Sequence, residues 1–257
     1  MEVLIIVQAR SGSTRFPNKI FKKINGMTIL ELTIERIKLA KSPNEIVVAT
    51  TDLEEDNSVE DLCSHKGIEV FRGSELNLLK RHYDCAVKYN ANIVVKIPSD
   101  CPLIDPIIID DVLEKIQESD YDYISNLHPT SYPDGFDVEA MTFSALEIAY
   151  LNAELPHELE HTTPYIWDNP HLFKIGSIVF DDTVDWSKLF RLTIDHPEDY
   201  ILIRRIVESF ASHGLDFGVR DIILLLQQNL KLAKINSHLI DDTWYNREAN
   251  NLKTYDF

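Results

Sequence analysis

Val3-Leu4-Ile5-Ile6-Val7-Gln8-Ala9-Arg10-Ser11-Gly12-Ser13-Thr14-Arg15-Phe16-Pro17-Asn18-Lys19 is the stretch that decides the fold. Its unbroken apolar run, Val3–Val7, reads as a central parallel strand buried on both faces. In an open parallel sheet, ligands bind at the carboxyl ends of the strands, and the first strand-to-helix loop is the usual phosphate cradle. The loop here suits that use. Gly12 lets the backbone approach a ligand, Ser11, Ser13 and Thr14 can donate hydrogen bonds, and Arg10, Arg15 and Lys19 bring positive charge. Neither GxxxxGK[ST] nor GxGxxG is present. Phosphate recognition would therefore rest on side chains, with Arg offering a bidentate fork and Lys a point charge.

Working outward, short apolar runs alternate with amphipathic ones. A helix is expected over 28–38, with Ile29, Leu32, Ile34 and Ile37 inward, then a strand at Glu45–Thr51 and a helix at Ser58–His65. A short strand at Ile68–Phe71, a helix near Leu79–Tyr89 and a strand over Asn92–Ile97 follow. This order implies an α/β fold with a mostly parallel sheet and helices on both faces. Beyond about residue 120 the pattern loosens. Strands are expected at Tyr121–Ser125, at Phe136–Met141 after the turn Tyr132-Pro133-Asp134-Gly135, at Lys174–Phe180 and at Arg191–Ile194. A helix opening at Pro197 should run to about Ser212, with another over 219–231. The tail past 235 is polar with scattered aromatics.

At 257 residues the chain can hold one α/β domain and a small appendage. With 25 Lys+Arg against 42 Asp+Glu its net charge is −17, a surface that repels phosphate backbones, so no nucleic-acid partner is expected. Residues 1–23 carry Arg10, Arg15, Lys19, Lys22 and Lys23 against Glu2; removing that +4 from −17 leaves −21 on the other 234 residues. A positive loop on an acidic body suits one small polyanion, although a solvated basic face would look the same. No apolar run is long enough for a membrane span, and the strand-like start has no basic leader region, so no membrane partner and a cytoplasmic location are expected. Cys63, Cys85 and Cys101 are odd in number and lack CxxC spacing, which argues against a disulfide framework or a zinc site.

The loop resembles the R-x-x-S-T-R-x-P-x-K signature of CTP-dependent sugar cytidylyltransferases, the group containing CMP-Kdo and CMP-sialate synthetases, and most of all its spore-coat polysaccharide SpsF-like branch. EIVVATTD (45–52), VFRGS (70–74), SDCPLIDP (99–106), YPDGFDVE (132–139), HTTPYI (161–166) and RLTIDHPEDY (191–200) agree with it in order, over roughly residues 1–212. The resemblance implies a three-layer αβα, Rossmann-like mixed sheet of the GT-A nucleotidyltransferase type. It implies a domain over 1–214, divided into a nucleotide-binding half (1–120) and an acceptor and dimerisation half (121–214), with 215–257 as a C-terminal helical extension. It implies transfer of CMP from CTP to a sugar or sugar acid, with pyrophosphate released, for surface polysaccharide or glycan synthesis. Arg10, Arg15, Lys19 and Asp100 would be catalytic. Gln8, Ala9, Arg10, Ser11, Gly12, Ser13, Lys19, Arg72, Gly73, Ser74 and Arg81 would bind nucleotide. Asp100 and Asp195 would hold Mg²⁺, and Asp134, Asp137, Glu139 and His161 would bind the acceptor. Ser99 stands where relatives carry glycine before the aspartate.

Each residue also has a plainer reading. Asp100 could be a turn or cap residue and Asp195 a helix N-cap. Arg72 could lie on the surface, Arg81 could pair with a carboxylate, and His161 could be a half-buried structural histidine. Asp137 and Glu139, alternating along a strand, would share a face. An acceptor carboxylate would need a cation, for which Lys174, Lys188 and Arg191 are candidates. The apolar stripe Ile222–Leu226 would favour a homodimer. Two other classes compete: a GT-A-type glycosyltransferase, although Asp120-Tyr121-Asp122 precedes its strand where such a metal motif should follow one, and a non-catalytic scaffold domain.

Overall fold

The computed structural model describes residues 2–41, 45–180 and 184–253. In chain order the elements are β1 (Val3–Gln8), the hairpin β2 (Lys23–Ile24) and β3 (Met27–Thr28), α1 (Ile29–Ile37), β4 (Glu45–Thr51), α2 (Asn57–His65), β5 (Glu69–Gly73), α3 (Leu78–Lys88), β6 (Ile93–Pro98) and α4 (Pro106–Glu118). Then come β7 (Tyr123–Ser125), β8 (Glu139–Thr142), α5 (Phe143–Asn152), α6 (Pro156–His161), α7 (Pro164–Asp168), β9 (Ile175–Ser177), α8 (Pro197–Ser209), α9 (Val219–Gln228), α10 (Leu230–Ala233) and α11 (Trp244–Glu248).

Among the described residues seven strands form one sheet in the order β5-β4-β1-β6-β8-β7-β9. β5, β4, β1 and β6 run parallel, β8 is antiparallel to β6 and to β7, and β9 is parallel to β7. The order reverses at β1: the chain moves outward to β4 and β5, then returns to place β6 on the other side. Such a reversal opens a crevice at the carboxyl ends, where open α/β sheets bind ligands.

Alternate side chains of β1 serve two cores. Val3, Ile5 and Val7 pack with α1, α4, α8 and α9, while Leu4 and Ile6 pack with α3, α5 and α7. That is the period-two alternation of a strand covered on both sides, and it makes three layers. Local sequence sets the helix starts. Thr28 and Glu31 form a reciprocal capping box on α1, Asn77 accepts from Lys80 N at 2.7 Å to open α3, and Asp105 precedes Pro106 at the start of α4.

Asp105 does a second job. Its other carboxylate oxygen accepts from Val219 N at 2.7 Å, so one side chain ties the starts of α4 and α9. Buried Arg36 donates to the carbonyls of Ile104, Leu215 and Phe217 at 2.8, 3.0 and 2.8 Å. The segment from Leu215 through α9 thus packs on the same core as the first strands. Ile222 and Leu226, the stripe that suggested pairing of two chains, are buried inside that core and offer no ground for a dimer. Among the described residues no helix is long and apolar enough to cross a membrane.

The second half departs from its expected strands. β8 begins only at Glu139, so Asp137 lies before the strand rather than on it. Residues 191–194 are no strand: they make a single bridge, between Asp134 and Arg191. Gly135 makes that bridge achievable. It has φ +109°, and a methyl group there would sit 2.3 Å from the Leu192 carbonyl carbon. Gly135→Ala should therefore lose about 3 kcal/mol of stability, from left-handed backbone strain plus overpacking against main chain. An unchanged urea midpoint would show that the loop yields freely.

Candidate active site

The carboxyl edge of the sheet opens into a cavity of about 560 Å³. Its walls include Gln8, Ala9, Arg10, Ser13, Arg15 and Lys19 from the first loop, Arg81 from α3, and Asp100 beyond β6. Asp134, Asp137, Glu139, His161 and Asp195 complete the set nominated from sequence that meets here. The remaining nominees turn elsewhere. Ser11 gives both its N–H and its hydroxyl to Asp56 Oδ1, each at 2.7 Å, which pins the loop instead of facing the cavity. Gly12 packs toward Glu55. Arg72 donates to the carbonyls of Thr51 and Leu53 and to Asn57 and Glu60, so it braces the end of β4. Gly73 admits the close passage of Arg81, and Ser74 Oγ accepts from Asn77 N at 3.1 Å at the entry to α3.

Lys19 is the centre of the site. Its ammonium, on a buried residue, donates to Asp100 Oδ2 at 2.8 Å, to Asp195 Oδ1 at 2.9 Å and to the Ile194 carbonyl at 2.6 Å. Burial alone would lower its pKa, but the two carboxylates prevail and raise it. Asp195 is gripped from three directions: Lys19, Arg15 Nη2 at 2.9 Å, and Arg191 Nη2 at 2.8 Å on its other oxygen. Burial opposes ionisation there, yet Lys19 and Arg15 hold this carboxyl well below the usual range. The N-cap alternative for Asp195 is not what the chain does. Asp199 Oδ2 accepts from the backbone N–H groups of Asp195 and His196, both at 2.9 Å, and so closes the start of α8 itself.

The far wall is acidic. Burial pushes Asp134 up to about 6 against the pull of Arg191, which donates to it at 2.9 Å. Asp137 is raised well above its ordinary value by burial and by its neighbours Asp134 and Glu139. Glu139 is held by Lys96 and by the Tyr123 hydroxyl, both at 2.5 Å. Burial, with Lys96 and Arg247 nearby, drops His161 to about 3, so its ring is neutral. Lys96 escaped sequence reading, though a lysine inside the apolar run of β6 was a visible anomaly. Thr243, Trp244, Tyr245, Arg247 and Glu248 also line the cavity, and nothing in the tail's pattern announced them.

Asp100 and Asp195 present hard carboxylate oxygens to one point, marked by the Lys19 ammonium. Among the described residues no group of three or more His, Cys, Asp or Glu could hold a metal alone. Two carboxylates, with water and substrate phosphate completing the shell, are the usual protein share of a Mg²⁺ site, and this donor set fits one. Asp120-Tyr121-Asp122 stays outside the cavity, with Asp120 paired to Lys174 and Asp122 accepting from Lys174 N.

Comparison with known proteins bears on this site. The chain is 30% identical to the spore coat polysaccharide biosynthesis protein SpsF of Bacillus subtilis over 235 residues, covering 89% of this chain and 95% of that protein. It is 28% identical over 219 residues to the 8-amino-3,8-dideoxy-manno-octulosonate cytidylyltransferase of Shewanella pealeana, covering 82% of this chain and 78% of that protein. The solved structure of a cytidylyltransferase from Leptospira borgpetersenii superposes with a TM-score of 0.85 at 35% identity, covering 91% of this chain and 97% of that one. A family model described as cytidylyltransferase matches residues 4–230, from β1 into α10. That span carries the loop after β1, Lys19 and both aspartates, and the chain belongs to the cytidylyltransferase family.

Proposed function

We propose that the chain transfers CMP from CTP to a hydroxyl of a sugar acid and releases pyrophosphate, in the building of a surface polysaccharide or glycan. The observation that carries this reading is the meeting of Arg15, Lys19, Asp100 and Asp195 at one point of the sheet edge. The names of the octulosonate cytidylyltransferase and SpsF relatives support the acceptor class and the polysaccharide role.

Transfer forms a bond from the acceptor oxygen to the α-phosphorus, breaks the bond from that phosphorus to the oxygen bridging to the β-phosphate, and releases the hydroxyl proton, the bonding pair leaving with pyrophosphate. No covalent enzyme intermediate is needed; positioning and charge supply most of the rate. Arg10, Arg15 and Lys19 bring cations to the triphosphate from one loop. Asp100 and Asp195 would hold Mg²⁺, which when bound polarises phosphate oxygens as a Lewis acid. Gln8 Oε1 and Arg81 Nε and Nη1 are buried on the nucleotide side without a hydrogen-bond partner among the described residues. Buried polar groups of this kind are suited to reading a base edge. Asp134, Asp137 and Glu139 suit acceptor hydroxyls.

CTP should raise the melting temperature more than ATP, GTP or UTP at equal concentration. Equal shifts from all four nucleotides would contradict the assignment of cytidine preference.

A further inference from the structure

A sugar acid brings a carboxylate into the cavity, and the lining cations within residues 4–230 either face carboxylates or lie on the nucleotide side. Lys96 is held by Glu139 and the His161 carbonyl. Arg191 is buried, its Nη atoms held by Asp134, Asp195 and the Asp242 carbonyl and its Nε turned to Asp199 Oδ1 at 3.4 Å. Lys174 and Lys188, the other sequence candidates, are exposed and paired with Asp120 and Asp185 away from the cavity. Arg10, Arg15, Lys19 and Arg81 lie on the phosphate and base side. Among the described residues one lining cation remains: Arg247, on α11.

Arg247 comes from beyond the family match and is placed with care. The tail crosses the carboxyl edge of the sheet, from α9 in one core to Leu252 in the other. Asp242 fixes the crossing, taking a 2.7 Å contact from His196 Nε2 while its carbonyl accepts from Arg191 Nη1 at 2.9 Å. Arg191 also grips Asp195, so the tail is keyed to the phosphate side. Trp244 stacks on His161 with ring centroids 4.1 Å apart. Arg247 Nη1 donates to Asp242 Oδ1 at 2.6 Å; its Nε and Nη2 make no hydrogen bond among the described residues. A guanidinium steadied on one side, with donors left over, is the group that binds a carboxylate in a planar fork.

We propose that Arg247 binds the carboxylate of the acceptor, which makes residues 241–249 an acceptor-specificity element; this rests on the sugar-acid reading above. The test uses the full chain, pyrophosphate release, and 3-deoxy-manno-octulosonate and its 8-amino-3,8-dideoxy counterpart as probes, each beside its carboxamide. Arg247→Met should raise KM for the acids roughly 10- to 100-fold, the scale of a charge-assisted hydrogen-bond pair. CTP affinity by calorimetry should stay unchanged, and the preference for acid over amide should vanish. Arg247→Lys should recover part of both. A purely structural role would lower stability and leave the acid-to-amide ratio intact, which would overturn the proposal. So would an unchanged KM in Arg247→Met while the wild type turns over the acids. A wild type that binds CTP and turns over a sugar phosphate but neither acid would overturn the sugar-acid reading itself.

Discussion

Lys19→Met should cut turnover by roughly 10³-fold, the scale lost when a preorganised charge is removed from a transferring group. The residue joins the two aspartates that flank it and carries the loop's charge into the site. The substitution also leaves Asp100 and Asp195 facing one another without their shared partner. Breaking a buried pair by deleting one member costs about 3–5 kcal/mol, so the melting temperature should fall too. Arg15 and Arg191 remain on Asp195 and should keep the chain folded. Near-normal turnover in a folded Lys19→Met variant would remove the ammonium from the mechanism.

The second large effect concerns the aspartates. Asp100→Asn and Asp195→Asn should each lower turnover by orders of magnitude, and the double variant should be hardly worse than either alone, because one loss already dismantles the shared point. The two differ in stability. Asp195 balances Lys19, Arg15 and Arg191, whereas Asp100 balances Lys19 alone among the ion pairs of the described residues. Asp195→Asn should therefore lower the melting temperature more. Additive losses in turnover would mean that the carboxylates act separately.

The first half of the fold was legible because strands buried on both faces need apolar runs, and β1, β4 and β6 carry them at Val3–Val7, Ile46–Ala49 and Ile93–Val95. The second half was not. β7 and β9 have three residues each, too few to display a period, and residues 191–194 are held by one bridge and by Gly135 rather than by a ladder. In the site, the end of β1 and its cluster of charge marked the loop that carries Lys19, and the end of β6 marked Asp100; Asp195 follows no strand and was marked chiefly by the family resemblance. Arg72 shows the limit: it lies near the carboxyl end of β5, close to the expected place, yet nearby carbonyls capture its guanidinium. Side-chain direction is settled by partners that are distant in sequence. The tail residues were invisible for the same reason, since Arg247 reaches the cavity only through the anchoring of Asp242 by His196 and Arg191.

The most direct measurement follows the fate of each phosphate. CTP labelled at the α-phosphate should pass its label to a sugar-acid product, with unlabelled pyrophosphate released in equal amount and only when the acceptor is present. Label that stays in nucleotide, with no acceptor-dependent pyrophosphate, would contradict CMP transfer by this site.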